Sequence, residues 1–264
     1  MSDKYTYYLI GIQFLGFRYS GWQKQPDHKT VEGMLMKTLK FILPNRKMKI
    51  LGTGRTDAKV SVLEGAFELF LEGGPLENED SFLQLFNLNL PPDIKAIRII
   101  KTNKNFNIIK GVETKEYVYL FSFGSKNHPF AAPFIVNIQS DLNIEGMKEA
   151  AKLFKGMHDF SNYTVKEAKN KDNLRNVIAC HIEENDILEA NFFPEISYAL
   201  RIKADGFIRY QVRMIMGALI QLGKGVLEYS DISDSLMPGN SIELTSVAPG
   251  SGLLLNTVNF KKMN

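Results

Sequence analysis

The sequence predicts an α+β protein built from two ferredoxin-like halves with mostly antiparallel sheets. Three observations carry this. Residues 5–101 read as strand, helix, strand, strand, helix, strand, which is the order of a ferredoxin-like unit. A second series of strands and helices follows, alike in element order and not in sequence identity. The chain, at 264 residues, is long for one compact core and comfortable for two small ones. The expected division is 1–110 for an N-terminal α/β half and 111–264 for a C-terminal one.

Taken in order, Tyr5 to Phe14 is aromatic and β-branched, hence a strand. The loop after it, Gly16-Phe17-Arg18-Tyr19-Ser20-Gly21-Trp22, sets aromatics and an arginine among glycines. Such a loop serves either as a lid on a core edge or as a surface that stacks on unpaired bases. Thr30-Val31-Glu32-Gly33 opens a helix with Val31, Leu35, Leu39 and Ile42 at helical spacing, stopped by Pro44. Strands are expected at 47–51 and 65–71, a short helix at 80–88 ended by Pro91-Pro92, and a strand at 93–101.

In the second half, 116–123 alternates as a strand and 144–154 reads as a helix with Met147, Ala150, Ala151 and Phe154 on one face. Residues 166–175 are charged and apolar-poor, a surface loop whose Lys166, Lys169 and Lys171 are also candidates for phosphate contact. Strands follow near 176–184, 187–193 and 196–204. Residues 206–222 are apolar nearly all round, which predicts a helix buried on more than one side. Arg209 and Arg213, four apart, fall on one face of it. An inward guanidinium needs a carboxylate close by, and its commonest setting is a structural ion pair.

Composition sets bounds. With 44% apolar and 23% charged residues the chain is an ordinary globular protein. No apolar run approaches a membrane span, and Met1-Ser2-Asp3-Lys4-Tyr5 lacks the layout of a targeting signal. The one cysteine, Cys180, fits a reducing cytoplasm, and the four scattered histidines predict no metal site. The net charge of +3 does not announce a nucleic-acid binder. Residues 1–110, however, hold 16 Lys and Arg against 11 Asp and Glu, a local excess of +5.

Gly52-Thr53-Gly54-Arg55-Thr56-Asp57-Ala58 follows a strand end. Two glycines within three residues permit a tight turn or positive φ, and an arginine and an aspartate would project from it. Asp57 in such a turn most often just caps it or pairs with Arg55. Neither G-x-G-x-x-G nor a P-loop pattern is completed here, because Asp57 stands at the third glycine position.

Gly54-Arg55-Thr56-Asp57 resembles the signature of the TruA-type pseudouridine synthases. The resemblance extends to Tyr19–Gln25, to Asn87–Ile94 with its Leu-Pro-Pro-Asp-Ile, to Lys115–Tyr119, to Gly156–Phe160, to Ala204–Gly225 and to Ala248–Leu255. It covers nearly the whole chain in the family's order. It implies that the sheets of the two halves join around a central catalytic cleft. It also implies an RNA pseudouridine synthase, by default acting on the anticodon stem-loop region of tRNA, cytoplasmic, homodimeric and without a cofactor. Asp57 would be the nucleophile, Tyr117 the tyrosine stacked on the base, and Arg213 the cation paired with Asp57. Leu253 would supply an apolar wall, and Arg55 would fill the place of the extruded base.

The chemistry suits those residues. Pseudouridine formation breaks the N1–C1′ bond, turns the base over and rejoins it through C5, with nothing oxidised and no group donated. A carboxylate held ionised by a neighbouring cation can act as covalent nucleophile. Two departures concern substrate choice. Lys59-Val60-Ser61 replaces the usual Gly-Val-His, and Asn107, Ser61 and His158–Thr164 look closer to the eukaryotic branch. A non-catalytic RNA-binding protein on the same scaffold is the competing reading. It would not need Asp57, Tyr117 and Arg213 together.

Overall fold

The computed structural model describes residues 4–164, 173–237, 239–240, 242, 244 and 246–261. The chain divides into two compact units, Met1–Glu113 with Leu255–Asn264, and Thr114–Leu254.

The first unit runs β1 (Tyr5–Phe14), α1 (Val31–Ile42), β2 (Met48–Gly52), β3 (Ser61–Glu72), α2 (Glu79–Asn89) and β4 (Ile94–Thr102). This is the βαββαβ order expected from the sequence. Strand β1 lies antiparallel between β3 and β4, and β2 pairs with the second half of β3, from Met48↔Leu71 to Gly52↔Phe67. The resulting order β4-β1-β3-β2 is the antiparallel arrangement that two right-handed crossovers produce. Both helices begin where a side chain caps them: Thr30 accepts from the Gly33 amide and Asn78 from the Ser81 amide. Each cap is worth about 1 kcal/mol. Val31, Leu35 and Leu39 of α1 and Phe82 and Phe86 of α2 are buried, as are Tyr8, Leu9, Ile10, Phe67 and Leu69 of the sheet. Phe86 meets Phe67 edge-on and stacks with Phe82.

The second unit comprises β5 (Val112–Phe123), β6 (Val136–Ile138), α3 (Ile144–Ala151), β7 (Gly156–Asp159), β8 (Leu174–Glu184), β9 (Tyr198–Ala204), α4 (Gln211–Gly223) and α5 (Tyr229–Ser235). Its strands pair in the order β5-β9-β8-β7, all antiparallel, with β6 added in parallel to β5. Numbered around α3, strands β5, β8 and β9 take the same relative places as β1, β2 and β3. Strand β10 (Leu253–Phe260) starts in the second unit and finishes in the first. There Phe260 packs with Phe106 against the cluster of Leu9, Ala66 and Ile108. The fold is therefore α+β with mostly antiparallel sheet. No described helix is long and apolar enough to cross a membrane.

Two elements differ from expectation. Residues 187–193 form no strand. Asn185 Oδ1 accepts from the Ile187 and Leu188 amides, while its Nδ2 donates to the Leu188 carbonyl. That local network replaces a sheet ladder. The helix expected from 206 begins at Gln211, because Tyr210 takes a left-handed conformation (φ 66°) and the Gln211 side chain accepts from the Ile208 amide. Arg209 therefore precedes the helix and does not share a helical face with Arg213. Burial of α4 is as expected: eleven of its thirteen positions are buried, all but Arg213 and Gln221.

Candidate active site

In the first unit, Asp57 sits half-buried on the loop between β2 and β3, with Arg55 exposed beside it. The loop is held by the one that precedes α1. The Trp22 amide donates to the Thr56 carbonyl at 3.1 Å and the Lys59 amide to the Tyr19 carbonyl at 3.0 Å. The Gly16 amide donates to Ser61 Oγ at 2.8 Å, which gives a buried structural place to the serine standing where histidine is usual. Two glycines make the contact possible. Gly21 has φ +99° and passes so close that a Cβ would lie 2.7 Å from the Thr56 carbonyl oxygen. At Gly52 a Cβ would lie 2.6 Å from the Trp22 indole. The two glycines Gly52 and Gly54 permit positive φ, but in this stretch it falls on Lys59.

Lys59 is the third residue of the Asp57–Val60 turn, closed by the Val60 amide on the Asp57 carbonyl at 3.3 Å. Its φ of 67° belongs to a position that glycine or asparagine fills at no steric cost. A lysine there costs about 1–2 kcal/mol.

The Leu-Pro-Pro-Asp-Ile stretch fixes the facing loop. Asp93 accepts from Arg18 Nε and Nη2 at 2.9 and 2.6 Å and from the Tyr19 hydroxyl at 2.7 Å. Its side chain is 9% exposed. Burial opposes the Asp93 charge, and the bonds from Tyr19 and Arg18 outweigh it, so the carboxyl is held below the usual range. Burial and the same bond push the Tyr19 hydroxyl up. Asn87 of the same stretch bonds both polar groups of the Ala96 backbone at 2.8 Å. Sequence reasoning matched these residues to a motif but assigned no work to Asp93. A carboxylate following two prolines, within reach of an arginine loop, was the available signal.

In the second unit, Tyr117 lies on β5 opposite Ile202 and meets the Phe207 ring edge-on at 5.2 Å. Tyr119, two residues along, shares its face of the strand. The Tyr119 hydroxyl donates to the Pro249 carbonyl at 2.9 Å. Burial pushes this hydroxyl up, against the lowering effect of the nearby Arg213 cation. Arg213 Nε donates to the Ala248 carbonyl at 2.7 Å, and the Ala248 amide returns a bond to the Arg213 carbonyl at 3.0 Å. Arg213 and Tyr119 thus hold Ala248-Pro249, and buried Leu253 follows after the turn Gly250–Gly252. The Arg209 and Arg213 guanidiniums both lie over the Tyr210 ring, at 5.2 and 5.0 Å. Two residues before Tyr117, Lys115 is half-buried, and loss of solvent pulls its ammonium pKa below the usual range.

Within the string from His158 to Thr164, three residues tie α5 and the segment before α4 in place. Asn162 Nδ2 bonds the Ser235 and Asn240 carbonyls, the Tyr163 hydroxyl meets Ser235 Oγ at 2.6 Å, and Thr164 Oγ1 donates to the Arg209 carbonyl. Lys166, Lys169 and Lys171 lie outside the described residues. A cavity of about 560 Å³ lies along residues 184–197, but Glu184, Glu189 and Glu195 line it, a charge that repels phosphate. Among the described residues no three His, Cys, Asp or Glu side chains come together as a metal site requires.

Residues 150–261 match the family model described as tRNA pseudouridine synthase. The chain is 31% identical over 253 residues to a tRNA pseudouridine synthase A of Thermodesulfovibrio yellowstonii, covering 94% of this chain and 96% of that one. It is 28% identical over 254 residues to tRNA pseudouridine synthase A 2 of Bacillus cereus, covering 96% and 99%. A tRNA pseudouridine synthase A of Dictyoglomus thermophilum is 29% identical over 252 residues, covering 95% and 98%. The chain belongs to the tRNA pseudouridine synthase A family.

Proposed function

We propose that this protein isomerises uridine to pseudouridine in tRNA, with Asp57 as the covalent nucleophile. The observation that carries the reading is the Asp57 loop, gripped from a second loop by main-chain bonds at Thr56 and Lys59 that leave a carboxylate and Arg55 projecting from a fixed base. Such fixing suits a nucleophile that must meet C1′ in one geometry. In this reading Arg213 supplies the cation that partners the Asp57 carboxylate, and Tyr117 stacks on the detached uracil and accepts a proton. Leu253 keeps water from the base, while Arg55 occupies the gap that the flipped nucleotide leaves, an extrusion costing a few kcal/mol. Lys166, Lys169 and Lys171 add phosphate contacts. The two halves, 1–110 and 111–264, carry the nucleophile and the tyrosine–arginine pair respectively. The anticodon stem-loop region is the proposed target. The enzyme is read as a cytoplasmic homodimer that needs no cofactor, since the isomerisation is redox-neutral and transfers no external group.

Asp57→Asn tests the core of this. The change is nearly isosteric and removes the nucleophile, so tRNA binding should persist while pseudouridine formation, followed by tritium release from C5-labelled tRNA, is lost. Substantial turnover by the purified variant would sink the mechanism. Full RNA affinity with no turnover even in the parent would favour the non-catalytic reading. Arg213→Met fits the apolar surroundings of α4 and should fold with turnover nearly abolished; near-normal turnover would refute a catalytic role for Arg213.

A further inference from the structure

We propose that Lys59 is an RNA phosphate contact on the catalytic loop, placed to hold the backbone of the strand that carries the target uridine. The inference rests on the reading of this site as one that takes RNA.

The residue is strained, exposed and charged at once. Its φ of 67° lies where a side chain is penalised, two residues beyond Asp57. Among the described residues only Asp27 and Tyr210 share this property without being glycine. Tyr210 is the residue on which Arg209 and Arg213 rest. Strain of this kind persists where the surrounding structure over-determines it, and it clusters at sites of function. The loop does over-determine Lys59, since its amide is bound by the Tyr19 carbonyl and its turn is closed by the Val60 amide. None of those bonds needs a lysine side chain, and glycine would make all of them without strain.

What lysine adds is a cation. Among the described residues its ammonium makes no ion pair, and it stands 5.6 Å from the centre of the Phe17 ring. The same loop pair carries Lys29, with its ammonium 4.8 Å from the Tyr19 ring centre, exposed Arg55, and Arg18 with 58% of its side chain exposed. Asp93 neutralises Arg18 alone. Lysines resting on aromatic faces keep their charge and their donors while giving up rotamer freedom before binding, which favours capture of a phosphate. The Lys59 side chain therefore acts on binding of the RNA backbone, not on base chemistry.

The test uses three variants of the full chain, with Kd for a tRNA transcript measured by filter binding between 50 and 300 mM KCl. Lys59→Gly should weaken binding roughly fivefold near 0.1 M salt and flatten the slope of log K against log salt by about 0.7–0.9. Its Tm should hold or rise by about 1–3 °C, because strain is relieved. Lys59→Gln keeps the strain and should lose the same affinity. Lys59→Arg should regain both affinity and slope. A purely structural lysine would move Tm and leave the salt slope untouched, and equal Kd and slope across the parent, Gly and Gln proteins would overturn the proposal. Pseudouridine formation by the parent protein, measured separately, reports whether the catalytic reading itself stands.

Discussion

Replacing Asp93 with alanine should loosen the catalytic loop without touching it. Asp93 receives three hydrogen bonds from Arg18 and Tyr19, and the loop they belong to supplies the Trp22 amide and the Tyr19 carbonyl that grip residues 56 and 59. The Arg18 end lies in solvent and adds little. The Tyr19 end is different, because Tyr19 is 2% exposed and its hydroxyl would be left facing an uncharged gap. A hydrogen bond to a charged group is worth about 1.5–3 kcal/mol. Taking about 2 kcal/mol, and tenfold for each 1.4 kcal/mol, local opening of the loop becomes about 30-fold more frequent. Hydrogen exchange reads this directly: the Trp22 and Lys59 amides should exchange about 30-fold faster, while amides of the β1–β3 ladder keep their parent rates. Trp22 is the chain's one tryptophan and is 6% exposed, so its quenching by acrylamide gives an independent measure. Turnover should fall alongside. Tyr19→Phe should reproduce most of the effect and Arg18→Ala little of it. Parent-like protection at Trp22 and Lys59 in Asp93→Ala would refute the chain of contacts.

Two further outcomes follow from other sites. Gly21→Ala places a Cβ 2.7 Å from the Thr56 carbonyl oxygen at a φ of +99°, so it should cost about 1–3 kcal/mol and reduce turnover; a thermal melt and a turnover assay indistinguishable from the parent would contradict it. Glu68 is 1% exposed, with Oε2 accepting from the Ile108 amide and Oε1 without a hydrogen-bond partner among the described residues, and burial raises its pKa. A carboxyl with a raised folded pKa stabilises most below its unfolded pKa, and that stability is lost as pH rises through the folded value. Glu68→Gln should therefore be more stable than the parent at pH 8, with the advantage vanishing toward pH 4; denaturant titrations showing the opposite trend would exclude the assignment.

How much could be read from the sequence varied with the range of the interactions involved. The βαββαβ order of the first unit was legible because strand alternation, helical spacing at Val31, Leu35 and Leu39, and the stops at Pro44 and Pro91 are local signals. Residues 187–193 misled because Ile187, Leu188, Phe192 and Phe193 suit a strand, whereas the outcome turned on hydrogen bonds from the Asn185 side chain. The start of α4 was misplaced because an apolar pattern does not reveal a left-handed residue at Tyr210. The motif around Asp57 was legible as a motif. The clamp that holds it was not, since Asp93, Tyr19 and Thr56 meet only through tertiary contact. Lys59 drew notice as a departure from the usual glycine, but only φ shows what glycine would have spared.

The last strand has a consequence for how the protein is made. Residues Leu255 to Phe260 belong to the first unit, and Phe260 packs with Phe106 on its Leu9–Ala66–Ile108 cluster. Everything from Thr114 to Leu254 is synthesised between the two parts of that core. During translation, the first unit therefore emerges early yet stays incomplete, with the Phe106 surface uncovered until the second unit has followed it out of the ribosome. Closing that gap is a long-range event, slow by contact order and exposed to aggregation while it waits. Vectorial synthesis thus makes the unit that begins first the one that finishes last.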